Sequence, residues 1–127
     1  EYLAQARLFG MRHSRAATGY IVTASYMLGD YEAAIADAEV AGDAMIDLPA
    51  WVAASHVRLG DVEAGARAIA EFMRLTKEGW TGGGEPSEAD ALDWFMGCFP
   101  IREEAARRDL RAALETALAA ARKKRRP

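Results

Sequence analysis

The chain has 127 residues with 16 basic and 19 acidic side chains, a formal net charge of −3. Residues 122–126 hold five of those basic groups, so residues 1–121 carry 11 positive against 19 negative charges, a net of −8; such an acidic body is a poor partner for nucleic acid. The 28 alanines, set against only five valines and five isoleucines, favour helices over a sheet, and no apolar run reaches the roughly 20 residues that span a membrane.

In chain order, residues 1–10 have helical spacing through Leu3, Ala6 and Phe9, and are read as the closing helix of an earlier, truncated repeat. The chain opens at Glu1 without methionine and shows no signal peptide, so a longer parent protein is expected. Ala17, Ile21, Ala24 and Leu28 then recur with helical period, predicting a helix over about 14–28. Leu28-Gly29-Asp30-Tyr31-Glu32-Ala33 interrupts it and returns 31 residues later as Leu59-Gly60-Asp61-Val62-Glu63-Ala64. In each copy the glycine can take positive φ and close one helix. The aspartate can then cap the next by accepting from orphan amides.

The remaining predicted helices are 31–43, through Ala34, Ile35, Ala38 and Ala41; 47–59, through Leu48, Val52, Ser55 and Leu59; and 62–77, through Ala66, Ile69, Ala70 and Met73. Residues 79–86, with three consecutive glycines and Pro86, must be a loop. Ser87-Glu88-Ala89-Asp90 is a cap signal for a helix through Leu92, Phe95 and Met96 that Phe99-Pro100 ends. A last amphipathic helix, about 102–121, aligns Leu110, Ala113, Leu114, Ala117 and Leu118. The basic run at 122–127 reads as a tail or helix terminus. The expected fold is one all-α domain over 1–127. It has hairpins at 14–43 and 47–77, a loop at 79–86 and capping helices at 87–121.

Gly29-Asp30-Tyr31-Glu32-Ala33-Ala34-Ile35 resembles the best-known stretch of the tetratricopeptide repeat (TPR), Gly-Asp-Tyr-Glu-Glu-Ala-Ile. Ala34 and Gly65 then stand at that family's small second-helix position, while Thr18 and Pro49 replace its large first-helix residue. The tail, Trp94-Phe95 followed by Phe99-Pro100-Ile101 and a leucine-spaced helix, looks like the end of repeat regions in bacterial class III adenylate cyclase–like regulators. The resemblance covers about 14–120 and implies an α-solenoid of stacked antiparallel hairpins. It also implies a groove lined by first helices. The family's pattern carries over to Tyr20, Thr23 and Met27 from one hairpin and Ala54 and Arg58 from the next, with Trp51 at the margin.

Nothing in the sequence makes a catalytic or metal constellation. His13, His56 and Cys98 lie far apart, and Cys98, beside Phe95 and Phe99, is expected to pack as a small apolar group. The lone cysteine also fits a reduced, cytoplasmic setting. Gly82-Gly83-Gly84 lacks the Lys-Ser/Thr of a phosphate loop. The acidic pairs at Glu103-Glu104 and Asp90/Asp93 suit helix starts. No enzyme, cofactor or metal is therefore expected in this chain. Three readings remain: a protein- or peptide-binding scaffold in the regulatory C-terminal part of a bacterial signalling protein, which leads; a homodimerisation module; and an accessory segment of a nucleotidyl cyclase whose catalytic domain lies elsewhere.

Overall fold

The structure, a computed structural model, describes residues 15–99 and 101–126, and the repeat end read at residues 1–10 lies outside them, as does His13. Among the described residues there are six α-helices and no strand: α1 (Arg15–Met27), α2 (Tyr31–Ala41), α3 (Leu48–Arg58), α4 (Val62–Gly79), α5 (Glu88–Cys98) and α6 (Glu104–Arg125).

The two Leu-Gly-Asp segments build the same turn twice. Gly29 and Gly60 have φ of 81° and 87°. Around the first, the Gly29 amide donates to the Tyr26 carbonyl and the Asp30 amide to the Ser25 carbonyl. Around the second, Gly60 donates to Val57 and Asp61 to His56. This paired pattern satisfies helix-end carbonyls that would otherwise lack partners. Each aspartate then caps the following helix, Asp30 accepting from the Ala33 amide at 3.2 Å and Asp61 from Ala64 at 3.1 Å. The result is two tight helical hairpins, α1–α2 and α3–α4, with α3 packed back on α2 and, less extensively, on α1.

Small residues set how closely the layers approach. The inward stripe of α2 is Ala34, Ala38 and Ala41. On α4, a Cβ at Gly65 would lie 2.9 Å from Val57 Cγ2 and 3.2 Å from the Ala53 carbonyl oxygen, so only glycine lets α3 and α4 meet there. Helix α6 packs on both α3 and α4, burying Leu110, Ala113, Leu114, Ala117, Leu118 and Ala121. Its other side carries exposed Glu103, Glu104, Arg107, Arg108 and Asp109.

Helix α5 begins with a reciprocal cap: the Asp90 amide donates to Ser87 Oγ and the Ser87 amide to Asp90 Oδ2. It lies alongside α6, held by Arg111 to Asp93 and by Arg122 and Arg125 to Glu88. Inside the molecule its Phe95 joins an aromatic chain running from Tyr31 through Tyr26, Trp51 and Phe95 to Phe72, with Phe99 against Trp51 and Phe95.

Six expectations change. Helix α4 runs on to Gly79 rather than 77, taking in the first residue read as loop, and Ala70, read on its inner stripe, is exposed. Helix α2 stops at Ala41 rather than 43, because Gly42 takes φ 61° and closes it with a bond to the Ala38 carbonyl. Helix α6 runs on to Arg125, so most of the supposed basic tail is helix, tied to α5 and, through Lys124 to Glu63, to α4. Cys98 is exposed rather than packed, because it occupies the outer side of the last turn of α5. Leu28 and Leu59, read as continuing the apolar stripes, are exposed, since α1 ends at Met27 and α3 at Arg58 and each leucine belongs to the turn that follows.

Candidate functional site

The groove residues carried over from the TPR pattern separate into three environments. On α1, Tyr20, Thr23 and Met27 share one face, as spacings of three and four dictate. Tyr20 is 62 % and Met27 44 % exposed, and Thr23 is half-buried. This face is open to solvent.

Arg58, at the end of α3, is also exposed, but it has a local task. Its Nε donates to the Tyr31 hydroxyl at 3.2 Å, and the guanidinium stands 5.7 Å from that ring's centroid. The contact ties the end of α3 to the start of α2 beside the second turn. Behind it, burial pushes the Tyr26 hydroxyl up to about 12, against the opposing pull of Arg58.

Trp51 and Ala54 are elsewhere. Both are fully enclosed, so a ligand on the surface would not reach them. The Trp51 ring meets Tyr26, Phe95 and Phe99 with centroids 5.0–5.3 Å apart. Its Nε1 donates to Asp47 Oδ2 at 3.1 Å. Asp47 precedes α3 yet makes no side-chain bond to the helix backbone; its carboxylate holds the indole instead. The physical reason is α5: its Phe95, with Phe99 just beyond it, lies against the side of α3 that the repeat pattern leaves for a groove.

A second concavity had no counterpart in the repeat pattern. A cleft of about 310 Å³ opens between the α2–α3 loop, the end of α4, the glycine loop and α5. Its walls include Ile46, Thr76, Trp80, Thr81, Gly82 and Trp94. Trp94 is backed by Phe72, near-parallel with centroids 6.3 Å apart and planes 23° apart. The Lys77–Glu85 ion pair, 2.8 Å, fastens the glycine loop to α4 beside it. The sequence signal was present but unread: two tryptophans flank the one glycine-rich break in an otherwise helical chain.

Among the described residues, no three His, Cys, Asp or Glu side chains converge as metal ligands, and no helix is long and apolar enough to cross a membrane. Although Cys98 is exposed, neighbouring atoms partly desolvate its sulfur, and this, with the charge of Asp47, raises the thiol above its ordinary value, the opposite of what activates a nucleophile. Compared with known proteins, the chain matches no protein family, no curated protein and no solved structure.

Proposed function

We propose that this chain is a TPR-like scaffold that binds a protein or peptide in the cytoplasm, as a regulatory part of a larger bacterial signalling protein. The observation that carries the reading is the repeated hairpin. Two turns of the same bonding pattern, 31 residues apart, are followed by a helix, α6, that packs on both members of the second hairpin as α3 packs on both members of the first. A stack built this way presents a rigid surface rather than a reaction centre. On it, the exposed Tyr20, Thr23 and Met27 face of α1 offers side-chain types common at interface cores.

The test is selection of binding peptides from a random library, followed by mapping of the bound site by NMR. Amide shifts centred on Tyr20, Thr23 and Met27, and an affinity loss of about tenfold or more in Tyr20→Ala with an unchanged melting midpoint, are the expected results. Peptides that bind only elsewhere, or a Tyr20→Ala variant with native affinity, would defeat the reading.

Self-association is the second reading, favoured by Leu28, 75 % exposed, in the turn directly after Met27, the last residue of α1. Light scattering after size-exclusion chromatography separates the two: a concentration-dependent dimer dissociated by Met27→Asp supports association, and a monomer throughout removes it.

A further inference from the structure

Helices α4 and α6 lie side by side in opposite directions, with Glu63 at the start of one ion-paired at 3.4 Å to Lys124 at the end of the other. Two adjoining hollows run along the seam between them, of about 230 and 290 Å³, and share Ala66 and Lys124 as walls. Small or recessed apolar side chains make the floor: Ala66, Ala70, Met73, Leu118 and Ala121. Val62, 37 % exposed, stands at one end. Helix α1 packs on α2 and α3, whereas α6 packs on α3 and α4, so this seam is a different surface from the Tyr20 face.

The rim of the seam is basic. Arg67, on α4, borders the same hollow as Lys124 and Arg125, on α6, and Lys123 borders the other. With Arg122 and Arg126 this end of the molecule holds six cations against two carboxylates, Glu63 and Glu88. Glu88 is shared by Arg122 and Arg125, and Glu63 is taken by Lys124. Among the described residues, Arg67, Lys123 and Arg126 have no ion-pair partner. The patch therefore carries a net of +4 in a chain whose other residues total −7. A helix C-terminus favours cations by itself, which accounts for the end of α6. It does not account for Arg67, which sits in the second turn of α4, where the dipole gives a cation no benefit.

We propose that this seam is a docking groove for an amphipathic helix of a partner protein, one with an apolar stripe flanked by glutamate or aspartate. A helix laid in a groove presents apolar anchors at i, i+3 or i+4, and i+7, and the two adjoining hollows offer successive seats for them. The cations on both banks meet carboxylates on both sides of the stripe, which fixes the partner's charge and speeds its approach. Nucleic acid fits less well: no aromatic side chain lines the groove to stack a base, and the acidic remainder of the surface repels a polyanion. A membrane surface fits less well too, because the apolar floor is recessed between two helices instead of projecting from them.

The test uses a dye-labelled synthetic peptide of about four helical turns, with leucines in that spacing and glutamates beside them. One control replaces every glutamate by lysine, and a second scrambles the same composition so that the leucines disperse. Fluorescence anisotropy should show saturable binding of the acidic helix that salt weakens, no binding of the lysine helix, and a scramble weaker by about tenfold or more. Amide shifts in the ¹⁵N-labelled protein should centre on Ala66, Ala70 and Ala121. Arg67→Glu and Lys123→Glu, at exposed residues without partners, should each weaken binding by about fivefold or more. Ala70→Trp, which fills the groove from an exposed position, should do the same, and all three should keep the native melting midpoint. Absence of saturation, or shifts confined to other surfaces, would overturn the groove. Equal binding of helix and scramble, or native affinity in Ala70→Trp, would leave only a charged patch and overturn helix docking. Sedimentation with phosphatidylserine vesicles that Lys123→Glu abolishes, or a dimer that Lys123→Glu dissociates, would give the surface to a membrane or to a second copy and overturn the partner helix.

Discussion

The indole of Trp51 and the ring of Phe95 meet edge to face, centroids 5.0 Å apart and planes at 64°, with both side chains fully buried. This one contact joins the first helix of the second hairpin to the helix beyond the glycine loop. It makes α5 part of the core rather than an appendage. Phe95→Ala removes it together with the Phe72 and Phe99 contacts and should cost about 3–5 kcal/mol. Urea unfolding followed by Trp fluorescence would measure this. A midpoint equal to that of the native chain would mean α5 contributes nothing to the core.

Leu114 is fully buried on the inner stripe of α6. Leu114→Ala should destabilise by about 2–5 kcal/mol, and truncation after Phe99 should expose the apolar sides of α3 and α4 and cause aggregation. Thermal melts and light scattering check both. A truncated chain that stayed monomeric and as stable as the full one would show that α6 is not a cap.

At Gly60 a side chain would meet nothing within 4 Å, yet φ is 87°. Any penalty for Gly60→Val is therefore backbone strain, not a clash, and should be about 1 kcal/mol or more. The melting midpoint reads it directly, and no shift would mean the turn relaxes to another geometry at no cost.

Glu88 accepts from Arg122 Nε at 2.6 Å and from Arg125 at 3.1 Å. Burial works against its charged form, but the two arginines together hold the carboxyl below its ordinary range. A carboxyl depressed in the folded state contributes stability that is complete above its unfolded value, near 4.3, and is lost as pH falls through the lower folded value. Because both arginines are more than half exposed, the contribution is screened and should be about 1 kcal/mol or less. Glu88→Gln should thus be less stable than the native chain at pH 7, by a margin that narrows below pH 4 (about the unfolded value) and in high salt. A margin independent of both would assign the effect to packing rather than charge.

What was legible in the sequence was local. The positive φ of Gly29 and Gly60, the caps at Asp30, Asp61 and Ser87, and the inward stripe of α6 depend on residues within a turn or two of one another. For such features, propensity and period are sufficient guides. On α1 the spacing of Tyr20, Thr23 and Met27 gave a common face for the same reason. Gly42 shows the limit even at short range: its φ of 61° ends α2 early, though Ala41-Gly42-Asp43 is a weaker stop signal than Leu-Gly-Asp.

The helical character of the described residues and the two hairpins were determined by the sequence alone, through alanine content and a repeated stop-turn-start segment. Only the tertiary structure decided where α5 lies. That position encloses Trp51 among Tyr26, Phe95 and Phe99, leaves Trp80 and Trp94 to line a cleft with Thr76, and brings Arg122 and Arg125 to Glu88 across 34 and 37 residues. Aromatic residues carry no mark of which neighbour will bury them. Whether an indole becomes core or surface depends on which distant helix covers it, and no periodicity along the chain encodes that choice.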